Sequence, residues 1–211
     1  MIHLRVDPSD PDPALIARAA AVIKAGGLVA MPTDTLYGLA ANPFDEAAVR
    51  RVFLVKGRPE DNPLLLVAAD LDQIRASLGP MPAMALALAE RFWPGPLTLL
   101  VPATPVLPPD LTSGTDVVGV RVPAHAVPRR LCRASGSPLT ATSANVTGQP
   151  ATADPEMVAE TLGPHIDVLL DAGKTLGGPA STVIDTTDER PRLVRAGAVP
   201  WEQVLACLNE R

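Results

Sequence analysis

The amino-acid sequence predicts a layered α/β domain whose sheet is covered by helices on at least one face, and three observations carry that prediction. Eight short apolar runs alternate with segments of helical periodicity. Glycine and proline stand at many of the junctions, where they stop one element and start the next. Polar residues gather directly after several of the runs, where the strand-end loops of α/β sheets commonly hold ligands. With 211 residues, 47% hydrophobic and 19% charged, the chain suits one domain over 1–211 at the usual size of about 100–200 residues.

The first helix starts at Asp12, whose carboxylate can accept free N–H groups of a first turn with Pro13 at the first helical position; Leu15, Ile16, Ala19, Val22 and Ile23 then recur on one face. Gly26-Gly27 can end it in a left-handed conformation, and Leu28 to Met31 reads as a buried strand. Asp45 caps a second helix with Val49, Val52 and Phe53 inward, Gly57 closes it, and Leu64 to Val67 is a second buried strand. A helix near 70–78 and another from Pro82 to Phe92 lead to Trp93-Pro94-Gly95-Pro96, which no helix crosses, and Leu97 to Val101 returns as strand. Further strands are expected at 117–122, 138–142, 167–171, 181–185 and 192–196, with helices near 125–134, 154–162 and 200–209. Segment 102–116, PATPVLPPDLTSGTD, has turn chemistry without periodicity and reads as a surface loop or flap.

Composition excludes several classes. The 24 prolines exceed the usual share of about 5%, but with the 15 glycines they stay below the roughly 25–30% that marks disorder, so they punctuate structure. No apolar run approaches the roughly 20 residues that cross a bilayer, and MIHLRVDPSDPDP meets prolines and acids before any signal-peptide core; a cytoplasmic protein without membrane contact is expected. Cys132 and Cys207 show neither disulfide-framework nor metal spacing and read as ordinary buried thiols, so no metal site is expected. A net charge of −5, with two Trp, one Tyr and three Phe for stacking, disfavours a dedicated nucleic-acid binder; weak or no direct nucleic-acid binding is expected.

The residues that could carry chemistry follow the strands. Thr33, Asp34, Thr35 and Tyr37 come after the first, Ser143 and Asn145 after the strand near Thr140, and Arg195 and Gly197 after the last. Each suits a ligand site, and each taken alone suits turn or helix capping as well. Lys56 and Arg58 frame Gly57 in KGRPEDNPL, where an ammonium and a guanidinium on a tight turn could share a triphosphate; Lys56 at a helix C-terminus is also favoured by the helix dipole without a ligand. Asn62 offers donor and acceptor to a purine edge, ribose or phosphate, and before Pro63 it equally initiates a turn. Arg121 in VGVRVPAH interrupts an apolar strand, which calls for an anionic partner such as a ligand carboxylate unless that strand is an edge. Ser181 in GGPAST precedes Val183-Ile184 and could face the same cleft. His3, His125 and His165 are scattered and no GxSxG elbow exists, which argues against a Ser-His-Asp hydrolase and leaves His125 structural.

Taken together, PTDTLYGL (32–39), KGRPEDNPL (56–64), WPGPLT (93–98), RVPAH (121–125), TSANVTG (142–148), STVID (181–185) and RAG (195–197) resemble the threonylcarbamoyl-AMP synthase, or YrdC-like, family over nearly the whole chain. The resemblance implies a twisted, mixed α/β sheet with helices packed on it and a large concave cavity, the YrdC/RibB-like architecture. It implies a nucleotidyltransferase that converts L-threonine, bicarbonate and ATP into threonylcarbamoyl-AMP and diphosphate, the first step of the tRNA threonylcarbamoyladenosine modification. It places Thr35, Arg121 and Ser181 around threonine, and Lys56, Arg58, Asn62, Ser143, Asn145 and Arg195 around ATP, with Lys56 and Arg58 catalytic. Mg2+ held mainly by the ATP phosphates is implied, as are downstream tRNA threonylcarbamoyl transferase proteins as partners. No protein nucleophile is needed, so Arg58→Ala is expected to abolish turnover and leave thermal unfolding nearly unchanged.

The pattern departs from the family in two places. Some relatives carry a further domain after a linker, whereas this chain ends at Arg211, so a lid contact from such a region is expected to be absent or replaced. Others place a histidine shortly after the NPL block, and Leu65 to Ala69 contains none. Two other readings stand beside the enzyme: an RNA-binding or ribosome-maturation module without catalysis, and a carbamoyl-transfer role such as related domains play inside larger proteins.

Overall fold

Two mixed β-sheets form the centre of the computed structural model, which describes residues 1–210. The first contains β1 (Ile2–Arg5), β2 (Val29–Met31), β3 (Gly38–Ala40), β8 (Thr142–Ser143) and β9 (Val168–Asp171), in the order β1-β9-β2-β3-β8. The second contains β4 (Leu65–Val67), β5 (Leu97–Pro102), β6 (Val117–Arg121), β7 (Leu139–Thr140), β10 (Thr182–Asp185) and β11 (Arg192–Arg195), in the order β11-β10-β5-β6-β4-β7. Parallel pairs, such as β4 with β6, and antiparallel pairs, such as β5 with β6, occur in the same sheet.

Helices α1 (Pro13–Lys24), α2 (Glu46–Lys56), α3 (Leu71–Leu78), α4 (Ala83–Phe92), α5 (Pro109–Thr112), α6 (Ala126–Ser135), α7 (Pro155–Leu162) and α8 (Trp201–Asn209) pack around them. Their starts are chemical. Asp12 accepts from the Ala14 N–H at 2.8 Å, and Asp45 Oδ1 accepts from Ala47 and Ala48 at 3.0 and 3.1 Å; each such cap stabilises by about 1 kcal/mol. Gly57 ends α2 at φ 56, a left-handed angle that turns the chain from Lys56 toward Arg58 and that glycine adopts with least strain.

One apolar core is shared by both sheets, with Ala30 and Leu39 from the first packed in the same cluster as Leu66, Leu97 and Val120 from the second. A smaller cluster under α1 and α6 joins Ile16, Ala19 and Ile23 to Val127 and Leu131 and to Val168 and Leu170 of β9. Burying each such Leu, Ile or Val stabilises by about 1.5–3 kcal/mol, and this apolar filling is what holds the two sheets together.

The architecture is α/β and mixed, with differences from the sequence reading in detail. The stretch 138–142 is two strands: β7 belongs to the second sheet and β8 to the first, and the chain crosses between them at Ala141, whose N–H donates to Leu65 O at 2.7 Å. β1 lies in a segment read as having no element, although Ile2, Leu4 and Val6 alternate there. β3 is three residues inside a polar motif, too short for periodicity to show. The loop 102–116 contains α5, whose fully buried Leu111 uses its carbonyl to accept from the Leu64 N–H at 2.9 Å. Among the described residues no helix is long and apolar enough to cross a membrane.

Candidate active site

A cavity of about 250 Å³ opens between the two sheets. Its floor is one face of the second sheet. The pairing of Val67 with Arg121 sets those side chains next to each other on that face, and Thr98 of β5 reaches the hydroxyl of Ser181, just before β10, at 2.8 Å. Its wall comes from the first sheet: the turn after β2 supplies Thr33 to Tyr37, and Gly38 of β3 pairs with Ser143 of β8.

The turn explains the TDT motif. Thr33 Oγ1 donates to Leu36 O at 2.7 Å and accepts from the Thr35 N–H at 3.3 Å, so the turn is closed by its own first residue. Asp34 is thereby held against Arg121, while Thr35 lines the cavity. The Thr35 carbonyl accepts from Gly177 N–H at 2.9 Å and Thr175 Oγ1 at 2.6 Å, which docks the loop leading to Ser181. Tyr37 is a buried strut: its hydroxyl donates to Gly173 O at 2.7 Å, and burial pushes its pKa up.

Arg58, Arg121 and Arg195, from three distant stretches of chain, line this one cavity together with Thr35, Ser143 and Ser181. Arg58 reaches Asn62 O at 2.8 Å, Asn62 Oδ1 at 2.7 Å, Pro63 O at 2.8 Å and Thr142 Oγ1 at 3.3 Å, closing the turn 58–63 over itself. Arg195 donates from Nε and Nη2 to Ser181 O and from Nη2 to Ser181 Oγ, at 2.8 to 3.2 Å. Arg121 pairs with Asp34 at 2.7 Å through Nη2. Burial lowers the pKa of all three, opposed for Arg121 by Asp34, yet a guanidinium stays charged at neutral pH, so the cavity is cationic inside a chain of net charge −5.

Lys56, Asn62 and Asn145 do not line this cavity; each is bonded to protein. Lys56 is 1% exposed, and its ammonium donates to Ser143 O, to Asn145 O at 2.8 Å and to Asn145 Oδ1 at 3.4 Å. It stands behind the wall and pins the loop that carries Ser143. Asn145 extends that pinning, donating through Nδ2 to Val146 O at 3.0 Å and Gln149 O at 2.6 Å. Asn62 holds Arg58 from outside the cavity. His125 caps α6 by accepting from the Val127 N–H at 3.2 Å, a structural role as read.

The sequence reading gave no role to Thr98 or Thr142, although both lie inside motifs it singled out, WPGPLT and TSANVTG. Gly197 acquires one. A Cβ there would stand 2.3 Å from Ala180 O and 2.5 Å from Thr182 N, so only glycine lets the end of β11 cross the Ser181 backbone and keep Arg195 on Ser181. Gly197→Ala is expected to destabilise by about 1–3 kcal/mol, read as a lower thermal midpoint, because backbone rather than a flexible side chain must move.

A cationic, hydroxyl-lined cavity between two mixed sheets defines an α/β protein suited to anionic ligands. Residues 21–197 match the Sua5/YciO/YrdC family model, described as "Telomere recombination". The chain is 45% identical over 192 residues to a threonylcarbamoyl-AMP synthase of Pyrococcus abyssi, covering 91% of this chain and 56% of that protein. It is 42% identical over 205 residues to a putative threonylcarbamoyl-AMP synthase of Mycobacterium leprae, covering 96% of this chain and 93% of the relative. The crystal structure of P. abyssi Sua5 complexed with L-threonine superimposes with a TM-score of 0.94 at 42% identity, over 100% of this chain and 62% of that one. The chain belongs to the Sua5/YciO/YrdC family, and it spans little more than half the length of the P. abyssi relative.

Proposed function

We propose that the protein is an L-threonylcarbamoyladenylate synthase, a nucleotidyltransferase acting on L-threonine, bicarbonate and ATP. The observation that carries this reading is the convergence of Arg58, Arg121 and Arg195 on one cavity, because two anionic substrates must be held together there. The names of the relatives and the threonine bound to P. abyssi Sua5 support it.

In this reading Arg121, Thr35 and Ser181 receive the amino acid, and Arg58, Arg195 and Ser143 face ATP, while Lys56, Asn145 and Asn62 shape the ATP side from behind. The threonine amine adds to carbon dioxide derived from bicarbonate and loses a proton. A carbamate oxygen then forms a bond to the α-phosphorus of ATP, and the bond from that phosphorus to the diphosphate oxygen breaks. The fixed guanidinium groups offset the charge that builds on the phosphoryl oxygens, and no side chain forms a covalent bond. Magnesium would enter as the ATP complex, held mainly by phosphates and water: the cavity offers cations and hydroxyls, which complement phosphate, and among the described residues no group of three His, Cys, Asp or Glu could hold a metal. The labile product would pass to tRNA threonylcarbamoyl transferase proteins in the cytoplasm.

Incubation with labelled bicarbonate, ATP and each amino acid, followed by mass identification of the adenylate, tests the reading. Threonylcarbamoyl-AMP, formed with threonine far more than with other amino acids, is the expected product. Folded protein that makes no adenylate overturns it.

A further inference from the structure

We infer that Asp34 is a positioning residue: it fixes the Arg121 guanidinium so that its unengaged N–H groups receive the carboxylate of the amino-acid substrate. The inference rests on the reading of threonine at Arg121 and goes beyond it by assigning the residue that holds the arginine.

Arg121 is at once the most buried and the least engaged of the three cavity arginines. It is 7% exposed and makes one hydrogen bond to protein among the described residues, from Nη2 to Asp34 Oδ2 at 2.7 Å; its Nε is buried without a partner. Leaving Nε buried and unpaired costs about 1–3 kcal/mol, so the guanidinium is held where it is in spite of that cost. Nη1, which makes no hydrogen bond to protein among the described residues, is the donor left for an acceptor that a ligand brings into the cavity. Arg58, by contrast, is tied to four protein oxygens and Arg195 to both oxygens of Ser181.

The two oxygens of Asp34 bind different elements. Oδ2 takes Arg121 at the end of β6, and Oδ1 accepts from the backbone N–H of His125 at 2.6 Å, the capping residue of α6. Asp34 therefore clasps both ends of the link 121–125 and restrains the guanidinium plane, and the Thr33-closed turn restrains Asp34 in its turn. A group that served as a counter-charge alone would need neither the second bond nor the turn.

Position and counter-charge differ in the sign of what they predict. Asp34→Asn removes a negative charge beside the cavity: as a mere counter-charge its loss would tighten an incoming carboxylate, whereas loss of the clasp loosens it. Asp34→Glu keeps the charge and displaces the carboxylate by one methylene, so a counter-charge role predicts wild-type behaviour and a positioning role predicts loss.

The experiment is steady-state KM for threonine and for ATP in the full chain, with thermal unfolding to confirm that each variant folds. Both variants are expected to raise the threonine KM about tenfold or more and to leave the ATP KM within about twofold. An unchanged or lowered threonine KM in either folded variant overturns the inference, as does an equal rise in both KM values. If Asp34→Asn fails to fold, Asp34→Glu decides alone; if neither folds, Asp34 is a determinant of the fold and the inference is overturned. A wild type that forms no adenylate is a failure of the functional reading itself and is seen before any variant is compared.

Discussion

Arg58→Ala is expected to lower threonine-dependent diphosphate release by about 10²–10³-fold, the usual effect of removing one preorganised donor from a site where charge develops. The preorganisation is visible in the turn 58–63. Three carbonyl-type oxygens, Asn62 O, Asn62 Oδ1 and Pro63 O, hold the guanidinium, and Thr142 Oγ1 approaches Nη1 at the looser distance of 3.3 Å. Of the five N–H groups of an arginine, one on Nη1 therefore has no protein acceptor and is free for a phosphate oxygen. The same bonds revise the expectation that this substitution leaves unfolding untouched. Alanine would release the turn, and since these bonds are partly exposed the loss should be about 1–2 kcal/mol, a fall in thermal midpoint of several degrees for a chain of this size. Arg58→Lys separates the two effects: it keeps a charge but lacks the planar fork whose Nε and Nη2 hold the turn while Nη1 faces the cavity, so it should recover little of the turnover. A diphosphate-release assay run beside thermal unfolding reads both quantities, and wild-type turnover in the alanine variant would remove Arg58 from the reaction.

What could be read in the sequence follows from how local the signal was. Helix starts at Asp12 and Asp45 were legible because a capping carboxylate acts on amides two and three residues away. Buried strands such as Leu65–Val67 announced themselves as apolar runs. The exchange of 139–143 between sheets was not legible: its cause is tertiary, with Thr140 N–H and Oγ1 bonded to the Ala41 backbone and Ala141 N–H to Leu65 O. Side-chain roles divided in the same way. A charge inside an apolar strand marked Arg121 as needing an anion, and Asp34 is that anion within the protein, a pairing across 87 positions that spacing cannot show. For Lys56, the sequence shows its place beside Gly57 and Arg58, but not that its side chain is buried and bonded to Ser143 and Asn145, because sequence gives the order of residues along a turn and not the depth of each side chain.

Lys56→Met is expected to have the largest effect on stability. Methionine fills a similar volume but donates nothing, so Ser143 O and Asn145 O lose their partner in a dry environment, at about 1–3 kcal/mol each, and the Asn145 bonds that shape the loop to Gln149 loosen with them. Activity should fall with stability, since Ser143 loses its fixed place on the cavity wall. The lysine also carries a signature in pH. Burial, with a smaller contribution from the charge of Arg58, pushes its pKa from the ordinary 10.5 down to about 8. Below about pH 8 the folded and unfolded chains both hold this proton, and its contribution to the pH dependence is flat. Between that value and the ordinary lysine range the unfolded chain binds more protons than the folded one, so the wild type gains stability as pH rises. The methionine variant lacks that gain. Denaturant midpoints measured for both proteins at about pH 7 and pH 10 should therefore move apart, in favour of the wild type, at the higher pH. A gap that stays constant or narrows would mean that the ammonium is solvated and that the loop is held by something other than Lys56.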